Sequence, residues 1–328
     1  MSAIRCGLRG TGSAVPERVL TNDDLAGMVD TSDEWITQRT GIKERRIVAP
    51  DQATSDLCLV AAQRALEDAG LRADELDLIV LGTLTSDQLI PSTACKLQHA
   101  LGATRAAAFD MQAGCTGFVY ALNVGAQFIW AGSARNVLVL GAECLSRIAD
   151  YTDRTSCILF GDAAGAVVLS TDYRFGEIRS SLIAADGSGY DVMYQSAGGS
   201  KLPLTAALIE TNAHKLVIRG REVYKFATNK MVELVRQEMA RNPDLELGAV
   251  IPHQMNARII EAARERLELP ENRVYVNIGR YGNTSAASIP LALDEARRTG
   301  FFKDLDGKLV ALCAFGAGLT WGSVGLRW

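Results

Sequence analysis

The stretch AAAFDMQAGCTGFVYAL, residues 106–122, carries the first reading of the fold. An apolar run ends at Gln112, a bend of small residues holds Gly114 and Cys115, and apolar residues then recur at helical spacing from Gly117. This is the pattern of a strand feeding a helix through a tight turn. The pattern returns about 170 residues later as VYVNIGRYGNTSAASIPLAL (274–293), with Asn283 at the bend that Cys115 occupies in the first copy. Its neighbours repeat too: LDLIVLGTLTSD (76–87) as LGAVIPHQMN (247–256), and NVLVLGAE (136–143) as KLVALCAFGAG (308–318). The interval is far longer than that of a solenoid. It implies a duplicated α/β unit, one half over 1–170 and a second over 171–328, with a Gly- and Ser-rich inserted loop near 171–216.

Around these repeats, strands are expected at 76–82, 106–112, 136–142, 165–170, 247–252, 274–279, 308–316 and 323–328, and helices at 55–70, 117–132, 256–269 and 288–300. Two such halves packed together place equivalent loops at the carboxyl ends of their strands, where open parallel sheets build sites.

Composition narrows the function. The 328 residues carry a formal net charge of −4, with no basic stripe to follow a phosphate backbone, so nucleic acid is not an expected partner. No long uncharged apolar run suggests a signal peptide or membrane span, and a cytoplasmic protein is expected. Seven scattered cysteines lack a C-x-x-C pair, and there are only three histidines, so neither a disulfide framework nor a metal site is expected. GLRGTG (7–12) is not a dinucleotide fingerprint, and its glycines are expected to shape a turn.

Under the duplication, Cys115 and Asn283 sit at equivalent strand-to-helix bends and His253 follows another equivalent strand. A thiol at the first turn of a helix feels its positive end, which favours thiolate; lowering a free pKa of about 8.5 to about 7 would ionise about half of it at neutral pH. The bend then exposes an activated nucleophile. Singly, each residue has a plainer reading: Cys115 as a packing residue, His253 and Asn283 as helix caps. Their conjunction favours chemistry.

The segments DTSDEWITQRTGIKERRI (30–47), AGCTGFVYAL (113–122), FGDAAGA (160–166), PHQMNARII (252–260), GNTSAASIPLALDEA (282–296) and FGAGLTWG (315–322) together resemble the β-ketoacyl-acyl carrier protein synthase III family. The resemblance implies a thiolase-like α/β fold, two duplicated halves with mixed sheets layered α-β-α-β-α. It implies a homodimer without a cofactor that joins a short acyl-CoA to malonyl-acyl carrier protein, releasing CoA and CO2. By the same resemblance Cys115 takes the acyl group, and His253 and Asn283 support decarboxylation. The N–H groups of Cys115 and Ala317 form the oxyanion hole, and Phe315 walls the site. Trp35, Arg39 and Arg154 match the nucleotide end of CoA, and Asn256 the pantetheine arm. Arg258 and Arg266, on the basic face of helix 256–269, are placed to dock an acidic carrier protein.

Arg221, Thr155 and Met255 depart from the family's usual Asn, Gly and Ala, and Ile90 replaces a frequent Phe in a loop that caps the partner's acyl pocket in family dimers. These departures bear on substrate preference. The nearest rival is a secondary-metabolism relative with the same Cys, His and Asn. A degradative thiolase would need a second cysteine in FGAG, and a hydroxymethylglutaryl-CoA synthase a Glu near the nucleophile, for which no candidate stands out in the sequence. A papain-like protease lacks its local signature around Cys115.

Overall fold

The computed structural model describes residues 4–328, the Arg221 side chain excepted. Nine strands, β1 (Gly7–Ala14), β2 (Leu78–Gly82), β3 (Ala107–Met111), β4 (Asn136–Cys144), β5 (Asp162–Ser170), β6 (Phe175–Ala185), β7 (Leu247–Pro252), β8 (Leu309–Gly316) and β9 (Thr320–Arg327), hydrogen-bond in the order β7-β8-β9-β6-β1-β5-β4-β2-β3. Outward from the β1–β6 junction the two sides match. β1, β5 and β4 run antiparallel and β2 joins β4 in parallel; β6, β9 and β8 run antiparallel and β7 joins β8 in parallel. Only Gly7↔Glu177 and Leu8↔Phe175 pair across the join.

The helices are α1 (Asp33–Thr40), α2 (Thr54–Ala69), α3 (Thr93–Leu101), α4 (Gly117–Trp130), α5 (Gly220–Arg241), α6 (Ala257–Arg266) and α7 (Ser288–Arg298), besides shorter turns. Apolar residues of α4 and α7, among them Phe118, Leu122, Ile289 and Leu293, share one core with Val80, Val139, Val310 and Leu312 of both sheet halves. α2 and α3 cover the outer face of one half and α5 and α6 that of the other. The result is five layers, with the two most buried helices in the middle.

Three expectations are corrected. Residues 175–185, read as part of an inserted loop, form β6 at the centre of the sheet. Residues 274–279 are not a strand: Val274 makes one bridge to Val250, and the Gln254 side chain then takes the ladder's place, accepting from Asn277 N–H (3.0 Å) and donating to the Tyr275 carbonyl (3.1 Å). Gly10 and Gly12 shape no turn but lie within β1, where α2 crosses so closely that a Cβ would fall 2.5 Å and 2.4 Å from the carbonyls of Ala65 and Ala61. The remaining expected strands and helices form within a few residues of their expected bounds.

Candidate active site

Between β3 and α4, Gly114–Thr116 make a single 3-10 turn that holds Cys115, 4% exposed. Gly114 takes φ 54°, a conformation open to glycine, and a Cβ there would lie 3.2 Å from the Ala317 nitrogen. A Cβ on Gly316 would lie 2.8 Å from the Cys115 nitrogen. The turn after β8 is thus pressed against the Cys115 backbone, bringing together the two expected oxyanion donors. The Thr320 hydroxyl fixes this contact, 3.0 Å from the carbonyls of both Ala113 and Ala317 and 2.9 Å from the Thr116 hydroxyl.

His253 directly follows β7; its N–H donates to the Cys313 carbonyl (2.8 Å) and its ring is fully buried. Nδ1 lies 2.7 Å from the hydroxyl of Ser288, the first residue of α7, while Nε2 has no partner among the described residues. Burial pushes the imidazole down to about 3, so it is neutral at neutral pH. We assign the tautomer in which Ser288 donates to Nδ1, leaving an Nε2–H donor for substrate. The Phe315 ring meets the imidazole edge-on, with centroids 5.8 Å apart.

Asn283, 2% exposed, spends its side-chain oxygen on the Ser285 N–H (2.9 Å), which leaves its NH2 as the donor end. The 283–288 segment is the hub of the site. Asn283 begins it, Ser285 lies in the turn packed against the Cys115 turn, and Ser288 holds His253. In this way the bends of the two halves meet.

The thiol does not behave as a helix N-terminus alone predicts. Burial pushes Cys115 up to about 11, assisted by the nearby Glu143 carboxylate and opposed by its bonds to Ser285 and to its own backbone N–H. Desolvation outweighs the end of the helix. Glu143, fully buried at the end of β4, was not anticipated. It accepts from the Thr85 hydroxyl (2.7 Å), the Leu84 N–H (3.2 Å), and the hydroxyls of Thr83 (3.3 Å) and Ser285 (3.2 Å), and burial raises it to about 7. The available signal was a charged residue closing the otherwise apolar strand NVLVLGAEC.

At the surface, the Ser32 hydroxyl caps α1 at the Trp35 N–H and Gly41 ends it, so Trp35 and Arg39 share one short helix. Two guanidinium groups lie over the Trp35 ring, Arg39 4.5 Å and Arg154 5.4 Å from its centre. Arg154 also bonds Asp30 (2.9 Å). Asn256 caps α6, accepting from the Arg258 N–H and donating to the Arg39 carbonyl, which leaves one N–H of its amide for a further partner. Arg258 and Arg266 are exposed on α6, and Arg266 reaches Asn229 of α5 (2.8 Å). Among the departures, Met255 is buried, Thr155 bonds Asp153, Ile90 is 86% exposed, and the Arg221 side chain lies outside the described residues. No cluster of three or more His, Cys, Asp or Glu side chains that could hold a metal ion occurs among the described residues, and no described helix is long and apolar enough to cross a membrane.

A duplicated five-layer α/β scaffold with a thiol, an imidazole and an amide meeting where its halves join is that of the thiolase-like condensing enzymes. Comparison with known proteins narrows the class. Residues 109–187 match the family described as 3-oxoacyl-[acyl-carrier-protein] synthase III and residues 239–328 its C-terminal counterpart. The β-ketoacyl-[acyl-carrier-protein] synthase III of Caldanaerobacter subterraneus subsp. tengcongensis is 51% identical over 99% of this chain and 98% of its own length; that of Xanthomonas campestris pv. campestris is 51% identical over 98% of each. The crystal structure of 3-oxoacyl-[acyl-carrier-protein] synthase III from Aquifex aeolicus superposes with a TM-score of 0.90 at 45% identity, covering 98% of this chain and 100% of that one. The chain belongs to the β-ketoacyl-[acyl-carrier-protein] synthase III family, acyltransferases of the condensing type.

Proposed function

We propose that this protein condenses a short acyl-CoA, acetyl-CoA foremost, with malonyl-acyl carrier protein to give a β-ketoacyl-acyl carrier protein, CoA and CO2, the initiating step of type II fatty acid synthesis. The observation that carries the reading is the 283–288 hub, which ties a buried thiol, a neutral imidazole and an oriented amide into one site. Cys115 attacks the thioester carbonyl, the N–H groups of Cys115 and Ala317 hold the oxyanion, and CoA leaves. Malonyl-acyl carrier protein then loses CO2. The enolate oxygen receives hydrogen bonds from His253 Nε2–H and the Asn283 NH2, and the enolate carbon attacks acyl-Cys115. The apolar face of Phe315 disfavours the malonyl carboxylate beside it.

Trp35, Arg39 and Arg154 receive the adenine end of CoA, a role supported by their cation–π stack. Asn256, which joins α6 to α1, stands by the pantetheine arm. Arg258 and Arg266 offer the acidic carrier protein a docking face. A homodimer is supported by the free outer edge of β3 and by Leu89 and Ile90, 90% and 86% exposed on the neighbouring loop. Seven free thiols suit the reducing cytoplasm.

Intact and peptide mass spectrometry after incubation with a panel of acyl-CoAs tests the proposal. An acyl adduct on Cys115 that disappears on addition of malonyl-acyl carrier protein, with release of β-ketoacyl product, is expected; Cys115→Ala should form neither. Transfer of the group to another acceptor without loss of CO2, or no adduct at all, overturns it.

A further inference from the structure

Glu143 has no place in the chemistry just described, yet it lies one hydroxyl away from the nucleophile. It is fully buried, and no Lys or Arg among the described residues forms an ion pair with it. Four hydrogen bonds from Thr83, Leu84, Thr85 and Ser285 solvate it instead. A buried carboxylate held without a cation calls for a reason beyond stability. Ser285 stands between it and the reactive sulfur, on a turn packed against that of Cys115, its hydroxyl beside the thiol and 3.2 Å from Glu143 Oε1. Its backbone takes φ 48°, rare for a residue with a side chain, and is held there by the Asn283 side chain.

Resting on the acyl-transfer reading, we propose that Ser285 relays the Cys115 thiol proton to Glu143, which stores it while Cys115 carries the acyl group and returns it when the sulfur leaves. In the first half-reaction the S–H bond breaks, the proton passes to Ser285 Oγ, and the serine's own proton moves to Glu143 Oε1. Sulfur attacks the thioester carbonyl, and CoA departs as thiolate to be protonated by solvent. In the second, the enolate left by loss of CO2 attacks acyl-Cys115, and the departing Cys115 thiolate recovers the proton from Glu143 through Ser285. One solvent proton is consumed per turnover, as the conversion of a malonyl carboxylate to CO2 requires.

Charge favours this route over simple ionisation. Ionised Glu143 already places one negative charge in the buried site, and the relay moves that charge to sulfur instead of adding a second. Transfer to His253 would create a buried imidazolium that its surroundings oppose. With the thiol near 11 and the carboxyl near 7, the proton rests on sulfur until a thioester draws the thiolate off. The other titratable groups facing Glu143 are the thiols of Cys58 on α2 and Cys144 on β4, both raised by burial and neutral across the same range. Ser285 touches the reacting atom, whereas Glu143 acts through it as a positioning residue.

The test is single-turnover acylation of Cys115 by acetyl-CoA, followed by rapid-quench mass spectrometry between about pH 5 and 9. The wild-type rate should rise with pH through about 7 as Glu143 becomes able to accept a proton. Glu143→Gln should lose that limb and fall about 100-fold. Ser285→Gly, which suits the positive φ but lacks the hydroxyl, should behave alike. In mixtures of H2O and D2O the wild-type rate should trace a curve, because two protons move together. A folded variant that keeps the limb and a rate within about threefold of wild type overturns the relay; so does a linear proton inventory, which decides the matter even if neither variant folds. Wild-type protein that forms no acyl adduct refutes the acyl-transfer reading instead.

Discussion

Cys115 and His253 are both held neutral by the same cause, removal from water. For His253 the folded imidazole pKa, about 3, lies below the ordinary 6.5, so the unfolded chain binds a proton that the folded chain refuses. Stability is therefore full above about pH 6.5 and falls as the pH drops toward 3, by up to a few kcal/mol. Urea unfolding at neutral and acid pH should show this loss in the wild type and a smaller one in His253→Gln. The neutral ring also has a catalytic consequence. Replacing His253 by Ala removes a donor to the enolate but not the nucleophile, so condensation should fall about 100- to 1,000-fold while acyl-Cys115 still forms. Loss of the adduct in this variant would contradict the division of labour.

Elements place these residues through close backbone contacts that leave no room for a side chain. The turn after β8 meets Cys115 at Gly316, where even a methyl group would fall 2.8 Å from the Cys115 nitrogen. Gly316→Ala must therefore displace either the oxyanion donors or the nucleophile. Acylation is expected to drop at least about 10-fold with a modest change in melting temperature, measured on the same preparation; unchanged acylation would show that the contact is slack. Gly141 on β4 plays a similar part, since a Cβ there would fall 2.1 Å from the Ala286 carbonyl of the hub segment. The strand carrying Glu143 and the segment carrying Ser285 are close enough to hydrogen-bond because Gly141 lets them be.

The whole molecule buries its middle helices, α4 and α7, between two sheet halves, and the reacting groups are carried at the ends of the strands that flank them. What this arrangement leaves uncovered is the edge strand β3 and the adjoining Leu89 and Ile90. If a second copy covers them, Ile90→Arg should shift the sedimentation of the protein from dimer toward monomer, because a charge would be buried without a partner. A sedimentation coefficient unchanged between wild type and variant would place the dimer contact elsewhere.

The repeated strand–bend–helix pattern determined the duplicated architecture, and with it the equivalence of Cys115 and Asn283, because the periods of strands and helices are local properties of a chain. The same regularity pointed to His253, whereas Ala317 was pointed to by the resemblance to the family. It did not reach β6, whose FGEIRSSLIAA lacks the long apolar run of a strand buried on both faces, nor the loss of the 274–279 strand, where one distant glutamine side chain replaces a ladder. Tertiary structure alone decided the protonation of the site. The sequence places Cys115 at a helix start, which favours thiolate; the fold removes it from water and sets Ser285 and Glu143 beneath it, which favours the thiol. A helix end is written in consecutive residues, whereas desolvation and a hydrogen bond between residues 143 and 285 exist only once the two halves have closed on each other.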